Sequence, residues 1–105
     1  MTARDADCAR LAEMMGWTVG PGVSAVRGYW FTIGPGEFLD IPAPDAPLPA
    51  QLEFVGRIAE AMGEPPLCLW PTDTGWCVSL GEAQATAPDL AWAAVKAAIA
   101  SKGAT

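Results

Sequence analysis

The chain has 105 residues, 51% hydrophobic and 17% charged, which fits one domain (1–105) and argues against wholesale disorder. Six basic residues against twelve acidic ones give a net charge of −6, so direct binding to a phosphate backbone is not expected. No apolar run approaches the ~20 residues of a membrane helix. The start, Met1-Thr2-Ala3-Arg4-Asp5, lacks the character of a secretory signal, so a cytoplasmic location without membrane contact is expected.

The first element is a helix over about Asp5 to Met15. Cys8, Leu11, Ala12 and Met15 share a stripe, Arg10 and Glu13 lie off it, and Gly16 follows as a C-terminal glycine. Tyr29-Trp30-Phe31-Thr32-Ile33 reads as a strand, and Gly34-Pro35-Gly36 turns it into a second strand, Glu37 to Ile41. Pro42, Pro44, Pro47 and Pro49 make the next stretch a stiff extended connection.

A second helix is expected from about Pro49 to Met62. Leu52, Val55, Ile58, Ala59 and Met62 form its inward face, and Glu53, Arg57, Glu60 and Glu64 the outward one. Leu67 to Trp70 and Trp76 to Leu80 flank a hairpin loop at Pro71 to Thr74, which pairs Leu69 with Trp76 and Cys68 with Cys77. In that register Leu67, Leu69, Trp76, Val78 and Leu80 share one face, and Cys68, Trp70, Cys77 and Ser79 the other. Both faces carry apolar residues, so a sheet covered on both sides is expected. Glu82 to Thr86 adds a short strand. A third helix runs from about Pro88 to Ser101, with Pro88 at its first position and Asp89 against the positive end of its dipole. Its reverse face, Leu90, Ala93, Ala97 and Ala100, is nearly uncharged and reads as either a second packing surface or a contact patch.

Catalytic equipment is sparse. The chain has no histidine, which removes the commonest general base and the usual zinc sites. The cysteines Cys8, Cys68 and Cys77 form no CxxC pair and read as reduced thiols. Gly20–Gly22 and Gly34–Gly36 lack the strand–loop–helix context of a phosphate cradle. The carboxylates Glu37 with Asp40, Asp73, and Glu60 with Glu64 read more simply as strand, turn and solvated helix residues. No enzyme activity, metal or cofactor is expected.

Binding residues are the remaining candidates. Trp70, at a strand end beside a loop, and Arg27, in the glycine-rich segment before Tyr29, are expected to be exposed. With Asp73, Glu53, Glu60 and Glu64 they make up the expected partner surface.

The chain resembles the phage ABA-sandwich domain family, small proteins of phages and prophages. The resemblance lies in Ala12-Glu13-Met14-Met15-Gly16-Trp17, in Trp76 within the strand pair, and in Ala83-Gln84-Ala85-Thr86-Ala87-Pro88 before an Ala-rich helix. It implies an α+β fold built as an α-β-α sandwich, with three helices and a mainly antiparallel sheet of four to five strands. It assigns no activity. A small acidic phage protein suits a non-enzymatic inhibitor that binds a host protein or ribonucleoprotein defence complex, of the anti-CRISPR type. The alternative is a structural or assembly accessory, working as a homodimer through the Ala-rich face of the third helix.

Overall fold

The computed structural model describes residues 2–21 and 29–103. Its elements in chain order are α1 (Ala3–Met15), β1 (Thr18–Pro21), β2 (Tyr29–Gly34), β3 (Glu37–Ile41), α2 (Leu48–Ala61), β4 (Leu67–Thr72), β5 (Gly75–Leu80), β6 (Ala83–Ala87) and α3 (Leu90–Gly103). The fold is α+β with three helices, and the strands form two three-stranded antiparallel sheets, β1-β2-β3 and β4-β5-β6.

This departs from a single sheet of four to five strands. The additional strand is β1, whose Gly20 and Pro21 are poor strand formers. It pairs along β2 at the edge of its sheet, where proline is tolerated. Gly20 lies directly across the ladder from Trp30, and a Cβ there would make an ordinary contact with its indole, 3.5 Å from Nε1.

The layers also differ from a sheet flanked by helices. α3 packs on β5 and β6, α1 on β1 and α2 on β3, while α1 and α2 both contact α3. The helices therefore lie between the two sheets. α3 is buried on both sides, through Ala91, Val95 and Ala98 and equally through Leu90, Ala93 and Ala97. Its Ala-rich reverse face is thus a packing surface inside the chain and is not available for a homodimer.

Local chemistry explains the helix ends. Thr2 and Asp5 form a reciprocal capping box, so α1 starts two residues before the expected Asp5. Gly16, at φ 73°, closes it, with Trp17 N donating to Ala12 O at 2.8 Å. Trp17 then packs on Phe31 at 5.3 Å between ring centroids.

α3 starts at Leu90, so Asp89 is its cap and Pro88 precedes it. Asp89 Oδ2 accepts from Trp92 N at 3.1 Å. Its carboxylate is also gripped by Arg4 Nε at 3.2 Å and Nη2 at 3.0 Å, and Arg4 donates in addition to Pro42 O. Gln51 Oε1 accepts from Ala91 N at 3.2 Å, while its amide donates to Ala46 O at 2.9 Å. Asp7 accepts from the Trp92 indole at 2.8 Å.

The hairpin register is also shifted. Leu69 faces Val78 and Trp70 faces Cys77, leaving Asp73 and Thr74 as the loop. The shift from the expected pairing is two residues, so every side chain keeps its face. Cys77 is buried on the outer face, opposite Trp70 and Thr86, rather than under a helix.

Removing the Asp89 side chain leaves Arg4 without its anion and Trp92 N without a cap. Asp89→Ala is expected to cost about 3–5 kcal/mol in urea unfolding, and Asp89→Asn, which keeps the acceptor, distinctly less. Gly75 lies under the strand end, where an added Cβ would meet Ala87 O and come within 2.6 Å of Pro88 Cα. Gly75→Ala is expected to destabilise by about 1–3 kcal/mol or more, read as a drop in Tm.

Cys8 is buried, and burial pushes its thiol from 9.0 up to about 11. The nearby carboxylates Asp5, Asp7 and Asp89 add to the rise and Arg4 opposes it. The folded state therefore holds the proton more tightly than the unfolded one. That contribution is complete below pH 9 and is lost as pH rises towards 11. Cys8→Ala should flatten the alkaline decline in stability. At neutral pH a thiol reagent should label exposed Cys68 at once, and Cys8 and Cys77 at the rate of opening.

Candidate functional site

From Phe38 to Ile41, β3 alternates. Leu39 and Ile41 point into the core, while Phe38 and Asp40 point to solvent. It is also an edge strand, paired by β2 on one side. α2 packs against it, and a groove of about 300 Å³ opens between the two elements. Buried Leu39 and Phe54, with Pro42, Ala46 and Ala50, give the groove an apolar lining. Exposed Phe38, Asp40, Glu53 and Arg57 form its rim.

Phe38 is 57% exposed yet held in place. Trp30 meets it edge-on across the strands, at 5.8 Å between centroids and 74° between planes. On the opposite wall, α2 buries Gln51, Phe54, Val55, Ile58 and Ala59. This is a correction to the expected inward face. Leu52 is 41% exposed and Phe54 takes the core position, stacked on Phe31 at 6.3 Å. The helix is turned by the need to bury Phe54 and to present Gln51 to α3. Leu48 and Leu52, one turn apart, are left in solvent beside Glu53.

The expected binding residues divide among several places. Glu53 lines the groove, and Glu60 lies further along the exposed side of α2. Glu64 lies beyond the helix in a left-handed conformation, φ 55°, and its N–H closes the last turn on Ala59 O at 2.9 Å. Trp70, 39% exposed, and Asp73, at the hairpin loop, belong to the second sheet. Arg27 lies outside the described residues. Phe38 and Arg57 complete the groove without having been expected there, while Leu48 and Leu52 lie on the other flank of α2 and do not line it. The outward phase of Phe38 was readable from β3, but its meeting with α2 was not.

Chemically, this arrangement offers apolar contact inside a rim of mixed charge. Glu37 and Asp40 are both exposed on β3. Among the described residues no group of three or more His, Cys, Asp or Glu side chains is placed to hold a metal ion. No helix among them is long and apolar enough to cross a membrane. No family model matches the chain, and no significant match was found among curated proteins or solved structures.

Proposed function

We propose that this chain is a non-enzymatic binding module that docks a basic host protein through the β3–α2 surface. Its setting is a phage or prophage, and its target is a nucleic-acid-binding defence complex in the host cytoplasm, as for an anti-CRISPR inhibitor. The observation that carries this reading is the concentration of exposed large apolar side chains on these two elements. Phe38 stands in solvent on β3, Leu48 and Leu52 on α2, and α2 also exposes the carboxylates of Glu53 and Glu60. Apolar anchors within a charged rim are the usual anatomy of a protein interface. A complex that grips nucleic acid presents basic surface, and a chain of net charge −6 complements it.

The phage setting rests on the resemblance to the ABA-sandwich family. The motifs behind it have structural roles: Gly16 and Trp17 cap α1, and Ala83–Ala87 forms β6 leading into the Asp89 cap. They leave the β3–α2 surface free to bind.

One observation favours a second reading, an assembly accessory acting as a homo-oligomer. The outer face of the second sheet presents Cys68, Trp70, Ser79, Gln84 and Thr86, none of them charged. Two copies could meet there without bringing like charges into direct contact.

At micromolar concentration the purified chain is expected to bind and inhibit a nucleic-acid-binding defence effector of its host. Leu48→Ser with Leu52→Ser should weaken binding by about tenfold or more while leaving Tm nearly unchanged, because both side chains are already wet. Failure to bind any such effector refutes the first reading. A dimer in light scattering that Trp70→Ser dissolves would establish the second.

A further inference from the structure

We propose that two copies of this chain join edge to edge through β4, merging their β4-β5-β6 sheets into one across a two-fold axis at Cys68. Association at this edge does not rest on the binding reading of the β3–α2 surface, which lies on the other sheet.

β4 is an edge strand, with β5 on one side of it. No residue of β4 is buried, although Leu67 and Leu69 share a face with buried Leu80 and Val78. Leu67 is 37% exposed on that face, and Trp70 39% exposed on the other. From Pro65 to Thr72 the chain carries no charged residue. Edge strands are commonly blunted by lysine or a bulge, and β4 has neither along its unbroken register with β5.

The hydrogen-bonding phase of β4 selects the occupant. Gly81 N donates to Pro66 O at 2.8 Å, one step beyond the Leu67–Leu80 pair. In an antiparallel ladder the backbone groups of successive residues point to opposite sides. Pro66, Cys68 and Trp70 therefore address β5, while Leu67, Leu69 and Pro71 turn their backbone groups to the open edge. Pro71 has no N–H, so Leu67 and Leu69 supply the edge donors. A second copy laid antiparallel, with Cys68 opposite Cys68, satisfies both. Leu67 exchanges two bonds with Leu69 of the second copy, and Leu69 does the same with its Leu67. Pro71 of one copy then falls opposite Pro65 of the other, just beyond the last bond. Sliding the strands by two residues sets Leu67 against Pro71 or Leu69 against Pro65, and a proline donates nothing back.

The same register covers the exposed side chains. Directly opposed residues lie on one face of the sheet, so Leu67 meets Leu69 of the second copy and Trp70 meets its Pro66. The two-fold axis uses both β4 edges, so association stops at two copies. Few side chains are covered, which makes the dimer a weak one, with Kd on the order of 10–1,000 μM.

Sedimentation of the full chain up to about 1 mM should show a monomer–dimer equilibrium. Added salt should tighten it, because each copy carries a charge of −6. Leu67→Pro removes an edge donor, spares the bonds to β5, and should weaken the dimer at least about tenfold with little change in Tm. Leu67→Glu keeps the donor but sets a carboxylate against Leu69 of the second copy, and should weaken it similarly. Diamide takes two electrons and two protons from a pair of thiols, becoming its hydrazine as the S–S bond forms. It should link Cys68 to Cys68 of the second copy, because opposed residues without mutual hydrogen bonds stand about 4.5 Å apart at Cα, a span a disulfide bridges. The link should be absent in Cys68→Ser and form at least about tenfold more slowly in Leu67→Pro. A strict monomer at about 1 mM, a dimer indifferent to both Leu67 variants, or a dimer in which diamide links no Cys68 pair overturns the proposal. A dimer that Trp70→Ser dissolves and Leu67→Pro does not overturns it too, and assigns self-association to the outer face of the sheet. Effector binding is read separately through Leu48 and Leu52, so its failure and the failure of this dimer are distinguishable.

Discussion

Helix α3 is surrounded by protein, and side chains from elsewhere and from its own cap satisfy amides of its first turn. A helix start leaves four N–H groups without intrahelical partners, and each one buried bare costs about 1–3 kcal/mol. Here Ala91 N finds Gln51 and Trp92 N finds the Asp89 side chain, and the helix ladder itself begins with Ala93 N on the Asp89 carbonyl. Asp89 is nearly buried, and Arg4 supplies its counter-charge. The same guanidinium reaches Pro42 O, and the same Gln51 amide reaches Ala46 O. This small polar set therefore ties α1, the proline-rich connection, α2 and α3 together. Pro42, Ala46 and Ala50 line the groove, so the shape of the candidate site depends on the network that caps α3.

The composition of α3 follows from its position. A helix at the edge of a domain has one apolar stripe, but this one is apolar all round and surrounded on several sides. Alanine lets the second sheet and the two other helices approach it closely without filling the space between them. With the helices inside, the outer faces of both sheets meet water. Each manages an aromatic residue there by pairing it across the strands: Trp30 with Phe38 in one sheet, Trp70 over Cys77 in the other.

Local chemistry made much of this legible in the sequence. The three helices, the glycine end of α1 and five of the six strands follow from period, caps and β-branched or aromatic runs. β1 is not legible because Gly20 and Pro21 oppose strand propensity, and only its pairing along β2, remote from local signals, makes it a strand. The hairpin register slipped by two because Pro71 reads as a loop residue yet sits within an edge strand. The phase of α2 at Leu52 is not readable locally, because Phe54 and Leu52 compete for burial. Contacts with Phe31 and α3, remote in sequence, decide between them. Glu53 was legible as an exposed carboxylate. The groove was not, since it exists only where β3 and α2 meet.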